Sequence, residues 1–155
     1  MARKVFFSFH YEADVWRAGP VRNSWVTKPD REEAGFWDSA SWEEAKKKGK
    51  EAVERWIDRQ MEGTSVTVVL IGSETADRPY VQYEINKSWE KKNGLIGVYI
   101  HNLKDRNGFT SSKGEDPFKK LEYTGIQTYD WINDNGYEKL GDWVEAAYQR
   151  AQNRK

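Results

Sequence analysis

The chain has 155 residues, and its 25 basic side chains match its 25 acidic ones, so no overall field directs it to nucleic acid or an anionic membrane. Hydrophobic residues make up 37% and charged residues 32%, a polar balance offset by 14% aromatic residues, which supply enough bulky burial to exclude a disordered chain. The absence of cysteine excludes disulfides, thiolate metal sites and a cysteine nucleophile, and fits a reducing compartment.

The length suits a single domain over residues 1–155. The opening MARKVFFSFHYE has too short an apolar run for a signal peptide, and no segment approaches membrane-spanning length. The expected address is the cytosol.

The first predicted element is a strand in which Val5, Phe7 and Phe9 alternate with Phe6, Ser8 and His10. One face is apolar, and the other turns polar at its carboxyl end, so Ser8 and His10 are candidates to line a site. From Asp14 to Trp25 a helical pattern is expected to be interrupted at Gly19-Pro20. Residues 26–40 are loop-rich, with a short strand at Trp25–Thr27 or Phe36-Trp37 as alternatives. Ser41 to Glu44 reads as a capping box, and Trp42, Ala45, Gly49, Ala52, Val53, Trp56, Ile57 and Met61 behind it predict one helix closed by Gly63. Trp16, Trp25, Trp42, Trp56 and Trp89 are assigned to the core.

Val66–Ile71 is an apolar, β-branched run that reads as a strand covered on both faces. Gly72 and Ser73 end it. Asp77 as N-cap and Pro79 in the first turn then open a helix carrying Tyr80 and Glu84 one turn apart. With Val81, Ile85 and Trp89 as the buried stripe, both residues fall at its margin, facing a crevice beyond the strand ends. The plain alternative for Glu84 is a surface ion pair with Lys87. Asn93-Gly94 stops this helix, and Leu95–Ile100 is a further buried strand. Residues 101–122 form a long polar loop, either a lid or partner surface or a plain insertion with a small hairpin at Asn107-Gly108. A last strand near Gly125–Tyr129 and a helix behind an Asn135–Glu138 capping box complete the chain. The alternation of strands and helices predicts an α/β fold with a parallel sheet.

There is no phosphate-binding G-x-x-x-x-G-K-[ST] loop, no G-x-G-x-x-G after the first strand, no G-x-S-x-G elbow and no H-E-x-x-H pair. His10 and His101 each follow a predicted strand and can share one crevice, but without cysteine they make a poor metal site.

Three stretches, FFSFHYEADVW, SVTVVLIGSET and RPYVQYEINKSWEKKNGLIGVYIHNLKD, resemble the TIR-like family whose members include the TIR protein of the bacterial Thoeris antiphage system. The likeness runs from Val5 to about Asp105. It implies a flavodoxin-like, three-layer fold with five mainly parallel strands in 2-1-3-4-5 order, and an activity that releases nicotinamide from NAD and makes a cyclic ADP-ribose isomer. NAD is then substrate, and no cofactor is expected. The family's W-x-x-x-E pattern falls on Tyr80-Val81-Gln82-Tyr83-Glu84, which makes Glu84 the expected catalytic residue, with Tyr80 where Trp is common. The partners implied are NAD, a separate effector protein reached through the nucleotide product, and self-association or a phage-derived trigger.

The chemistry is consistent with that role. Breaking the ribose–nicotinamide bond builds positive charge at the anomeric carbon, which a carboxylate on the ribose hydroxyls stabilises. Aromatic side chains, here Tyr80, Tyr83, Phe9 and Trp37, would exclude water and favour cyclisation over hydrolysis. Ser8, Phe9, His10, Ser73, Tyr80, Tyr83 and His101 are the expected substrate contacts, although Ser8 and Ser73 equally suit local backbone capping. Arg17 or Arg22 is an alternative to the backbone around Ser73 as an anchor for the pyrophosphate. A non-catalytic TIR-like nucleotide-binding or adaptor module is the competing reading.

Overall fold

The computed structural model describes residues 3–27, 31–33 and 39–154. Trp37 and a strand at Phe36-Trp37 lie outside the described residues. At the centre is β3 (Val66–Ile71), all six residues of which are buried. On one side it pairs in parallel with β1 (Arg3–Ser8), from Val5 opposite Val66 to Ser8 opposite Val69. On the other it pairs with β4 (Gly94–Tyr99), and β4 in turn with β5 (Gln127–Asp130), again in parallel. The short β2 (Arg31–Glu33) pairs in parallel with Arg3–Val5. No second strand forms at Trp25–Thr27, because Trp25 is drawn into the end of a helix.

This register decides which side chains share a face, since alternate residues of a strand point the same way. Val66, Val68, Leu70, Ile96, Val98 and Ile100 pack in one cluster with Val21 and Trp25 of α1 (Val15–Val26) and with Leu140 and Val144 of α6 (Gly136–Gln152). Val69, Ile71, Leu95 and Tyr99 pack instead with Val81 and Ile85 of α4 (Pro79–Glu90) and with Phe118 of the short α5 (Pro117–Lys120). Helices therefore cover both faces of the sheet. Phe6 and Ser8 stand opposite Thr67 and Val69, which puts Ser8 on the α4 face.

Four predicted boundaries differ from those observed. Helix α1 runs unbroken through Gly19-Pro20. A proline normally drives the preceding residue out of the helical region because its ring meets that residue's Cβ, and Gly19 has none. Pro20 is exposed, and burial of Ala18, Val21 and Trp25 on the opposite side holds the helix together. The single helix expected from Ser41 to Met61 is two, α2 (Ser39–Lys48) and α3 (Lys50–Met61), divided at Gly49, whose φ of 103° lies outside the helical range. Asn135 precedes α6 in a left-handed conformation with no side-chain cap, so the expected capping box does not form. Asp77 likewise does not cap α4: Thr75–Asp77 is a 3-10 turn, the N-cap is Arg78, and Asp77 pairs with Lys120. Pro79 does occupy the first turn.

Trp16 leaves the core to which it is assigned, whereas Trp89 packs at the edge of the core. Trp16 is 58% exposed, and Trp89 is half-buried beneath the guanidinium of Arg154, 3.8 Å from its ring centre. Among the described residues, no helix is long and apolar enough to cross a membrane.

Candidate active site

Glu84 does not sit at the margin of the α4 stripe, nor does it pair at the surface. It is fully buried. Its Oε1 accepts a hydrogen bond from Ser8 Oγ at 2.6 Å, and its Oε2 accepts one from Tyr11 OH at 2.5 Å. Ser8 is delivered by the last position of β1, Tyr11 by the turn that follows, and Glu84 by the second turn of α4. The carboxylate thus lies at the carboxyl end of β1 next to β3, the kind of crevice in which open parallel sheets bind ligands.

Burial is the dominant influence on this carboxyl group. It lifts Glu84 from its ordinary 4.5 to about 8, against the opposing pull of the two hydroxyl donors. Tyr11, fully enclosed beside it, is pushed well above the usual phenol range by burial first and by the Glu84 charge second.

An aromatic cluster closes over the pair. The Tyr11 ring stacks on Tyr80 at 5.3 Å and 10°, and meets Phe9 edge-on at 4.8 Å and Trp42 at 4.9 Å. Trp56 adds a further edge at 6.0 Å. Tyr80 OH accepts from the Tyr11 backbone N–H at 3.2 Å and lies 3.4 Å from His10 Nδ1. Because His10 Nδ1 also accepts from the Ala13 N–H, that nitrogen is unprotonated and Tyr80 OH is the donor. Burial, then the Arg78 charge, lower the His10 pKa and agree with a neutral ring. Trp42 Nε1 is buried with no hydrogen-bond partner.

Ser8, Phe9, His10, Tyr80 and Glu84 are therefore brought together. Tyr83 is turned aside: its hydroxyl donates to Asp58 at 2.7 Å, and it lines, with Trp42, Val53, Ile57, Pro79 and Tyr80, an apolar groove of about 220 Å³ between α2, α3 and α4. Ser73 is exposed, and the turn after β3 is held by Thr75, whose hydroxyl accepts from the Gly72 N–H. His101 belongs to the β4–β5 end, 3.9 Å from Asp130, with its Nδ1 buried and unpartnered. Arg17 is a structural group: buried, it donates to Asp14, to Leu103 O and to Phe109 O, which ties residues 103–109 to α1. Arg22 lies 5.7 Å over the Phe9 ring.

Tyr11 and Trp42 are the residues that sequence reasoning missed. Tyr11 follows the strand in FFSFHY and carried a usable signal, since a hydroxyl just past Ser8 at a strand's carboxyl end faces the same crevice. Trp42 has a helical periodicity indistinguishable from that of an ordinary core residue. Among the described residues there is no group of three or more His, Cys, Asp or Glu able to hold a metal ion.

A parallel α/β sheet with helices on both faces, and a sealed glutamate from the helix after its central strand, define a flavodoxin-like domain of the TIR type. Residues 6–105 match the family described as Thoeris protein ThsB, TIR-like domain. A protein of Bacillus cereus (strain MSX-D12), named "Putative cyclic ADP-D-ribose synthase ThsB1", is 38% identical over a 191-position alignment that spans 93% of this chain and 100% of that protein. The chain belongs to the Thoeris ThsB TIR-like family.

Proposed function

We propose that this protein consumes NAD, cleaving its nicotinamide–ribose bond and closing the ADP-ribose part into a cyclic isomer. The product would signal a separate effector protein in antiphage defence. The observation that carries this reading is the fully buried carboxylate of Glu84, held by two hydroxyl donors at the carboxyl end of β1. Membership of the Thoeris family and the name of the Bacillus relative support it. The same reading takes residues 1–155 as one TIR-like domain of the cytosol, with the flavodoxin-like order 2-1-3-4-5 supported by the pairing of β2 with β1.

In this mechanism the bond between the anomeric carbon and the pyridinium nitrogen breaks, and its electron pair leaves with neutral nicotinamide. Glu84, ionised and hydrogen-bonded to ribose hydroxyls, stabilises the oxocarbenium-like sugar. A ring nitrogen of the adenine or a hydroxyl of the distal ribose then attacks the same carbon. If a hydroxyl attacks, its proton passes to a base, and a carboxylate held near pH 8 is suited to receive it. Water excluded by Tyr80 and Trp42 cannot compete, and proximity favours ring closure.

The sealing of Glu84 also favours a second reading, a non-catalytic nucleotide-binding or adaptor module. Incubation with NAD, alone and with lysate of phage-infected cells, separates the two by mass spectrometry of nicotinamide and nucleotide products. The enzyme reading expects a cyclic product and a loss of at least about 100-fold in Glu84→Gln. NAD left intact in both arms leaves the adaptor.

A further inference from the structure

We infer that the Tyr11 hydroxyl is an internal competitor for the substrate: it occupies the Glu84 oxygen that a ribose hydroxyl has to take, so NAD binds only as Tyr11 leaves. This rests on the reading of Glu84 as the ribose-binding carboxylate. A ribose offers that carboxylate O–H donors, but one O–H donor already sits on each of its oxygens, Ser8 on Oε1 and Tyr11 on Oε2, and no exposed surface of Glu84 is left for a third. No part of Glu84 is exposed, and the Tyr11 ring is one wall of the enclosure.

The two donors are not equally free to move. Ser8 is fixed in the ladder of β1 opposite Val69. Tyr11 lies beyond the strand in the turn Tyr11–Ala13, and its backbone N–H bonds to a side chain, Tyr80 OH, rather than to a neighbouring strand. The turn itself is closed behind Tyr11 by Asp14 N–H on His10 O, so displacing the ring breaks its contacts with Phe9, Trp42, Trp56 and Tyr80 but no hydrogen bond of the sheet.

A ligand that binds only the open form has its intrinsic dissociation constant divided by the fraction of molecules that are open. A hydrogen bond to a charged acceptor depresses that fraction about 10-fold or more. Removing the Tyr11 hydroxyl while keeping its ring therefore tightens substrate binding.

The test compares wild type, Tyr11→Phe, Ser8→Ala and Glu84→Gln for KM and kcat of nicotinamide release, and for binding of carba-NAD, an uncleavable analogue, by calorimetry. Measurements are made on the alkaline plateau of the pH profile, where Glu84 is ionised in each variant that keeps it. Tyr11→Phe is expected to lower the carba-NAD Kd about 10-fold and KM with it, whereas Ser8→Ala lowers neither constant. Thermal melting confirms folding; should Tyr11→Phe fail to fold, hydrogen exchange of the wild-type Tyr11–Ala13 turn is read with and without carba-NAD, expected to accelerate with the ligand and overturning the proposal if it slows or stays the same. Unchanged or weaker carba-NAD binding in a folded Tyr11 variant, together with inactive Glu84→Gln, overturns the competitor and leaves the site standing. Wild-type nicotinamide release by Glu84→Gln overturns both.

Discussion

A carboxyl group in the position of Glu84 works against the fold that holds it. With its pKa lifted from 4.5 to about 8, the native chain retains a proton that the unfolded chain has released throughout that window. Stability therefore falls as the pH rises from about 4.5 to 8, the opposite of a salt-bridged carboxylate. A shift of this size corresponds to roughly 4–5 kcal/mol as an upper bound. Replacement by Gln leaves one of the two hydroxyls without an acceptor and gives back about 1–3 kcal/mol. Denaturant titrations of Glu84→Gln should show it more stable than wild type by about 2 kcal/mol near pH 8.5, with the gain gone by about pH 5. A variant less stable than wild type at the higher pH would mean that the protein stabilises the ionised form.

Elements are positioned by close backbone approaches that composition does not announce. Gly94 opens β4 where α6 crosses it, and a Cβ there would lie 2.6 Å from the backbone oxygen of Ala147. Since that neighbour is backbone, relief requires α6 to move as a body. Gly94→Ala is expected to lower stability by about 2 kcal/mol, read as a drop in melting temperature. Gly97, on the opposite face of the same strand, touches only side chains, those of Ile71, Phe118 and Thr128. Gly97→Ala should be the milder change, because side chains can repack. A reversed order of the two melting temperatures would show that α6 adapts more readily than the α4–α5 layer.

Across the whole molecule, Arg17 connects α1 to the long connection after β4. Its guanidinium donates to Asp14 at 3.1 Å, to Leu103 O at 3.0 Å and to Phe109 O at 2.9 Å, with Asp105 at 3.8 Å. The connection is not a hairpin: Asp105–Phe109 is a tight turn, and beyond it Asp116 caps α5, whose Phe118 is buried. Asp14 is itself buried, and burial raises its pKa despite Arg17. Arg17→Met leaves that acid unpaired and Leu103 O without its side-chain donor, while Phe109 O keeps the Asp105 N–H. It should cost about 3 kcal/mol at pH 7 and less as the pH falls, because burial favours the protonated form of Asp14. Hydrogen exchange should accelerate in residues 103–111; exchange unchanged there would show that α5 alone holds the connection.

The sequence by itself determined the elements nearest the site. The β-branched run Val66–Ile71, the Pro79 start of α4 and the one-turn spacing of Tyr80 and Glu84 are local properties, and local periodicity records them. It also excluded thiol chemistry. Tertiary structure alone decided what Glu84 touches. Tyr11 is 73 residues away along the chain and Ser8 is 76, and only the parallel pairing of β1 with β3 brings the end of β1 beneath α4. The same long-range packing carried α1 through Pro20 and left Trp16 in solvent. Periodicity reports that a face is buried; it does not report against what, because partners are chosen by strand order.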